Sequence, residues 1–502
     1  MESATLTRPR PGARRSARRL AVPPSAWAPG VFGLLCLVAL VGFLAYPTFP
    51  NYDSYYSLLW GHEALHLKAP SFGVYRAPTE HPLAIAFGAV MSLFGRGADR
   101  LMVGLTVASF LALAAGLYRL GRVTFTPLVG VAAVGLLCTR LQLPFLAARG
   151  YLDIPYLAIV VWAGALEAQR PRRGTPVLVA LAAAGLLRPE AWLLSGIYLL
   201  WCAGPASWPR RLRYAALAAV GPLVWAAVDL AVTGDPLYSL HSTSGLADEL
   251  GRAGGLAAVP SALGNFLVRI DKVPVLIAGG LGVALAVWLA PRRSLLPLIL
   301  LVIGFGTFVL IGAAGLSIID RYVQFPALVL MIFAGVGLAG WTMLVPGCPL
   351  RRVWGLGAGV LLAYGATTAA LTLSLGSIET ELSFRADSHR SLQAILNEPG
   401  VRAGLRCGPL SVPDHKLIPD TRWLLSGGPH TVLARTDARA RADAGDPRLA
   451  RRLQQGVALY PLGAAVFVQA LAEPNDDPRD QVPMAGFDRV ASNQYYAAYV
   501  HC

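Results

Sequence analysis

Residues 51–70, NYDSYYSLLWGHEALHLKAP, hold two different chemistries in one short stretch. His62, Glu63 and His66 spell H-E-x-x-H. On a helix the two histidines share a face suited to a zinc ion, and the glutamate beside them can act as a base. No metzincin-type extension follows, because the next residues are LKAP, and Glu80 is the only nearby acidic third ligand. The same residues also read as the polar side of an amphipathic interfacial helix, and that reading is preferred. Asp53, a few residues earlier, is a lone carboxylate where the chain leaves its first apolar run. It could cap a helix, or it could take a proton from an attacking hydroxyl.

Further ionisable residues stand at the ends of apolar runs, where charge is costly and marks function. Asp153 lies in ARGYLDIPYLA beside Arg149 and Tyr151, and is read as a cap, as half of an Arg–Asp pair, or as a second site carboxylate. Glu80 and His81 precede Pro82 in YRAPTEHPLAI, and Arg188 and Glu190 share the tight turn LLRPEAW. Asp320, Arg321 and Tyr322 begin SIIDRYVQFPA. Arginine suits a phosphate near a membrane surface because its planar fork donates two bonds at once. His241, alone in GDPLYSLHST, reads as an interface residue.

The elements that must position these groups are membrane helices. The chain has 502 residues, 55% hydrophobic and 14% charged, with a mean hydropathy of +0.53. Its apolar runs are continuous and long enough for a hydrocarbon core of about 30 Å, which excludes an alternating β-barrel pattern. The expected fold is an all-α polytopic membrane protein of about eleven spans: 31–49, 101–118, 127–147, 153–168, 175–187, 190–204, 214–232, 273–290, 294–314, 322–345 and 353–375. The shorter piece 82–94 is read as an interfacial helix, because counting it as a span breaks the charge pattern. With it omitted, the basic loops at Arg119/Arg122, Arg170/Arg172/Arg173, Arg210/Arg211/Arg213, Arg292/Arg293 and Arg351/Arg352 all fall inside.

This topology places a basic cytoplasmic arm at 1–30, a membrane domain at 31–375 with outer loops 50–81 and 233–272, and a soluble extracytoplasmic domain of small α/β type at 376–502. From Gly376 onward the chain carries 14 Lys+Arg and 14 Asp+Glu, so the net charge of +15 belongs to the membrane part. Nothing resembles a nucleic-acid motif. Cys407 and Cys502 are alone in the tail and could pair in an oxidising compartment.

Taken together, NYDSYY after the first span, TEHPL, RGYLDIPY, LRPEAW and a soluble C-terminal domain resemble the GT-C superfamily of membrane glycosyltransferases. The likeness is to the bacterial branch of protein O-mannosyltransferases and the lipid A aminoarabinose transferase, and it covers roughly residues 30–345. The resemblance implies a hexosyl- or pentosyltransferase of the cell membrane that uses a polyprenyl-phosphate sugar donor and an extracytoplasmic acceptor (glycan, lipid or protein). It makes Asp53 the first-loop base and Asp153 the second acidic site, and His81 stands where many members carry a His-Pro pair. Tyr55, Glu80, Arg149, Tyr151, Glu190 and Tyr322 join them as substrate-binding candidates, and Arg188 and Arg321 are chosen on chemistry for the lipid phosphate. No organic cofactor is expected. A divalent cation (Mg or Mn) stays open, because Asp53 is followed by Ser54 rather than by a second acidic residue. A transporter or flippase for a lipid-linked substrate is the main rival and predicts charges in mid-span and paired broken helices. The zinc protease ranks below it.

Overall fold

A computed structural model of the chain describes residues 24–252, 254–372, 375–463 and 478–502. The Arg-rich start lies outside the described residues, as does nearly all of the tail segment GAAVFVQAL. The membrane part runs α1 (Pro24–Ala45), α2 (Tyr52–Leu65), α3 (Pro82–Ser92), α4 (Ala98–Thr124), α5 (Pro127–Thr139), α6 (Gln142–Ala148), α7 (Asp153–Gln169), α8 (Thr175–Gly185) and α9 (Glu190–Ala203). It continues with α10 (Trp208–Thr233), α11 (Tyr238–Glu249), α12 (Val259–Leu289), α13 (Pro291–Ala313), α14 (Gln324–Ala339) and α15 (Pro349–Thr372).

Among the described residues, seven helices are long and apolar enough to cross a membrane: α1, α4, α10, α12, α13, α15 and α14 with its flanking turns. The bent pair α5 and α6 would make an eighth. The four further spans expected from sequence correspond to shorter or broken helices. Helix α7 has 17 residues, α8 has 11 and α9 has 14, and at 1.5 Å per residue each is shorter than a hydrocarbon core of about 30 Å. The run 127–147 is broken, with α5 and α6 bent by 65°. Pro144 is the cause: in a continuous helix its ring would meet the carbonyl of Arg140. The expected outer loop 233–272 is also largely helical, holding α11 and the start of α12. Helix α12 is kinked at Lys272, whose φ is 65°. Pro274 follows two residues on and can give the Ile270 carbonyl no N–H.

Helix α14 is apolar on every side and lies at the centre, buried along its whole length. Helix α1 is exposed along its apolar surface, as a lipid-facing helix must be. Helices α2 and α3 cross at a glycine pair: a Cβ on Gly61 would lie 2.2 Å from the Ala89 nitrogen, and one on Gly88 would lie 2.0 Å from the Ser57 carbonyl oxygen. This contact fixes α2, the helix that carries Asp53.

Helix α16 (Leu375–Asn397) leads to the sheet domain, through α17 (Pro399–Gly404), β1 (Leu410–Val412), α18 (Ile418–Leu425) and β2 (Val432–Ala434). Helices α19 (Arg435–Asp443) and α20 (Pro447–Leu453) follow, then β3 (Gly456–Pro461), β4 (Asp488–Ser492) and β5 (Tyr496–His501). The sheet order is β2-β1-β3-β5-β4. Strands β2, β1 and β3 are parallel, and β5 pairs antiparallel with both β3 and β4. Cys407 and Cys502 form a disulfide with Cα atoms 5.5 Å apart.

Candidate functional site

The plainer role foreseen for Asp53, capping, belongs to another residue. Asn51 is the N-cap of α2, and its side-chain oxygen accepts the Ser54 N–H at 3.1 Å. The Asn51 N–H donates to the Arg149 carbonyl at 2.8 Å, and the Ser54 hydroxyl donates to the Gly150 carbonyl. Gly150 has φ 70°, and a Cβ there would lie 3.1 Å from Pro50. Glycine is therefore required by both conformation and space. The turn before α7 is thus held against the start of α2, and Asp153 is brought alongside Asp53.

Two arginines link the carboxylates. Arg321 Nη1 donates to Asp53 Oδ2 at 2.7 Å and stands 3.9 Å from Asp153 Oδ2. Arg188 Nη2 donates to Asp153 Oδ1, and Arg188 Nη1 lies 4.0 Å from Glu190 Oε1. The partner of Asp153 is therefore Arg188, not its sequence neighbour Arg149. Burial alone would raise the Asp53 carboxyl, but the Arg321 guanidinium outweighs it and holds the group below its usual value. His81 caps no backbone group, and its ring meets the Trp225 edge at 5.6 Å. Burial, reinforced by the charge of Arg188, pushes its imidazole down to about 3, so it is neutral.

These groups line a cavity of about 1810 Å³ between the membrane helices and the sheet domain. Asp53, His81, Arg149, Tyr151, Arg188, Glu190, Arg321 and Tyr322 all face it, and Asp153 lines a small chamber behind. Two candidates do not. Tyr55 is buried in the helix core, its ring parallel to His389 at 6.2 Å. Glu80 is buried behind the wall, where the Ser239 hydroxyl lies 2.8 Å from Glu80 Oε2 and 2.8 Å from Asp229 Oδ1. Trp225 Nε1 donates to the same hydroxyl at 2.7 Å. Burial raises the Glu80 carboxyl to about 7.

Several lining residues escaped the sequence reading. Arg140 sits at the α5–α6 break and donates to the Asp271 carbonyl at 3.2 Å, while Lys272 sits at the α12 kink. Gln324 opens α14, and the sheet domain adds His415, Asp420 and Tyr496. The lining carries ten Lys and Arg against five Asp and Glu. Among the described residues, Arg149 and Lys272 have no ion-pair partner. Arg149 instead lies over the Tyr151 ring at 5.2 Å.

The H-E-x-x-H residues lie elsewhere. Glu63 Oε1 accepts from Arg422 Nη2 at 2.7 Å and from the Ser71 hydroxyl at 3.1 Å, and Glu63 Oε2 accepts the Ser71 N–H at 2.7 Å. Its carboxylate ties α2 to α18. The His62 and His66 rings pack together at 4.2 Å, with His66 Nδ1 2.8 Å from the His62 carbonyl. The Arg321 guanidinium stands between Asp53 and Asp153, the two carboxylates that a divalent cation would bridge. Among the described residues, no group of three or more His, Cys, Asp or Glu is placed to hold a metal.

No protein-family model and no curated protein matches the chain. Solved structures do. The crystal structure of ArnT from Cupriavidus metallidurans bound to undecaprenyl phosphate aligns with a TM-score of 0.56 at 14% identity, over 94% of this chain and 98% of that one. The Archaeoglobus fulgidus oligosaccharyltransferase in its apo form aligns with a TM-score of 0.52 at 12% identity, over 88% of this chain and 70% of that one. The same enzyme tethered to an acceptor peptide gives 0.51 at 11%, over 95% and 74%. The chain shares its overall fold with these two proteins.

Proposed function

We propose that this chain, with its GT-C fold, transfers a sugar from a polyprenyl-phosphate donor to an acceptor hydroxyl at the outer face of the cell membrane. The observation that carries this reading is the Asp53–Arg321–Asp153–Arg188 array on the wall of a large, net-cationic cavity. Arg321 occupies one oxygen of Asp53, leaving Oδ1 for a ligand. Oδ1 takes the proton of the acceptor hydroxyl while that oxygen attacks the anomeric carbon. The bond from this carbon to the phosphate oxygen breaks, and polyprenyl phosphate leaves with the electron pair. One displacement inverts the anomeric centre. Arg188 and Arg321 remain the candidates for the departing phosphate, joined by the unpaired Arg149 and Lys272. The positive charge the step needs can come from these side chains.

The test is transfer from radiolabelled polyprenyl-phosphate sugars in membranes, comparing wild type, Asp53→Asn and His62→Ala/His66→Ala. Transfer lost in the first variant and kept in the second supports the reading. No transfer by the wild type from any donor overturns it.

One observation favours the transporter reading. Two broken helices meet, with Arg140 at the α5–α6 break bonded to the Asp271 carbonyl beside the α12 kink, and broken helices meeting around a cavity are a transporter feature. Movement of a labelled lipid-linked sugar across proteoliposomes, without transfer, would establish it.

A further inference from the structure

Behind the arginine array lies a second, small space of about 20 Å³, lined by Asp153, Arg188, Glu190, Arg321 and Gln324 among others. It adjoins the large cavity, since Arg188, Glu190, Arg321 and Gln324 border both. Gln324 is 1% exposed, yet neither its Nε2 nor its Oε1 has a hydrogen-bond partner among the described residues. Glu190 Oε2 is likewise buried and unpartnered. Three such atoms around one space are unusual, because buried polar groups are nearly always paired, and each left unpaired costs about 1–3 kcal/mol.

Resting on the transferase reading, we propose that this chamber is the selectivity subsite for the donor sugar, taking one hydroxyl of the ring. The Gln324 amide N–H donates to that hydroxyl's oxygen, and the hydroxyl in turn donates a hydrogen bond to Glu190 Oε2 or Gln324 Oε1. The size sets the class of substituent. About 20 Å³ holds a group near the size of one water, which admits a hydroxyl and excludes an acetamido or carboxylate group. The position fits as well, because the chamber shares Arg188 and Arg321 with the array that faces the reacting carbon. A site built to hydrogen-bond a hydroxyl rejects the analogue lacking it, since its own polar groups are then left unpaired.

The experiment takes the polyprenyl-phosphate sugar that the wild type transfers best and compares it with its monodeoxy derivatives, in wild type, Gln324→Leu and Glu190→Gln. With wild type, one deoxy position lowers kcat/KM by roughly 10–100-fold while the others change little. In Gln324→Leu the parent sugar falls by a similar factor, and the penalty for that deoxy position shrinks toward onefold. A flat deoxy series with wild type overturns the inference without using any variant, so misfolding of a variant cannot hide the answer. An equal deoxy penalty in wild type and Gln324→Leu also overturns it. Absence of transfer from every parent donor overturns the transferase reading and this inference with it.

Discussion

Arg321 bonds to Asp53 across 268 residues of chain at 2.7 Å, and its guanidinium reaches Asp153 at 3.9 Å from the same nitrogen. One cation therefore holds two carboxylates that come from different helices. Asp53→Asn keeps an oxygen for Arg321 but loses the proposed base, so transfer is expected to fall about 100- to 10,000-fold with little change in melting temperature. Because Arg321 holds the Asp53 carboxyl below its usual value of 3.8, Asp53 stays ionised down to that range. The acid limb of the wild-type pH–kcat/KM profile is expected below about pH 4.

Arg188 and Asp153 form a buried pair. Removing Arg188 leaves Asp153 only the more distant Arg321 at 3.9 Å, so Arg188→Met is expected to destabilise the protein by about 3 kcal/mol, the low end for breaking a buried pair. Adding Asp153→Asn removes the carboxylate charge and should recover much of that loss. Thermal unfolding in detergent, followed by tryptophan fluorescence, reads both.

Arg422 is fully buried, and Glu63 is its carboxylate partner. Glu63→Ala is expected to loosen the sheet domain from α2, at about 3–5 kcal/mol, and to expose the α18 region to limited proteolysis. The exposed His62 and His66 bear no such load, and their joint replacement by alanine should shift stability by less than about 0.5 kcal/mol. Equal sensitivity of all three positions would contradict this division.

Ser239 has one hydroxyl proton and faces two carboxylates while also accepting from Trp225. The set is satisfied when Ser239 donates to Asp229 and Glu80 carries its own proton. Burial raises Glu80 from 4.5 to about 7, so between those values the folded protein binds a proton that the unfolded chain does not. Stability from this group is thus full below about pH 4.5 and is lost as pH rises through about 7, by on the order of 1–3 kcal/mol. Melting temperatures at pH 6 and pH 8 should differ more for wild type than for Glu80→Gln.

Much of the site was legible because charge in an apolar sequence is conspicuous. Asp53, Asp153, Arg188 and Arg321 interrupt hydrophobic runs, and the structure places them together. The breaks at Arg140 and Lys272 were less visible. Pro144 and Pro274 mark them, but a proline alone does not say whether a run bends or continues. Gln324 was hidden because a neutral amide beside Arg321 looks like ordinary polar punctuation, and its lack of partners is a tertiary fact. His415, Asp420 and Tyr496 were missed for a different reason. Their segments read as parts of a separate soluble domain, and nothing local reveals that they close a cavity in the membrane part. Tyr55 shows the converse: proximity to Asp53 in sequence placed it in the site, while the helix turns it into the core.

The roof over the cavity bears on how this chain can be recombined. Helix α16 marks a boundary in composition, yet His415, Asp420 and Tyr496 lie beyond it and complete the wall that Asp53 faces. Exchanging the region after residue 375 for another protein's equivalent would replace part of the ligand envelope along with the module. A chimaera would preserve this wall only if residues 415–420, which lead into α18, and the start of α2 were transplanted as a matched set.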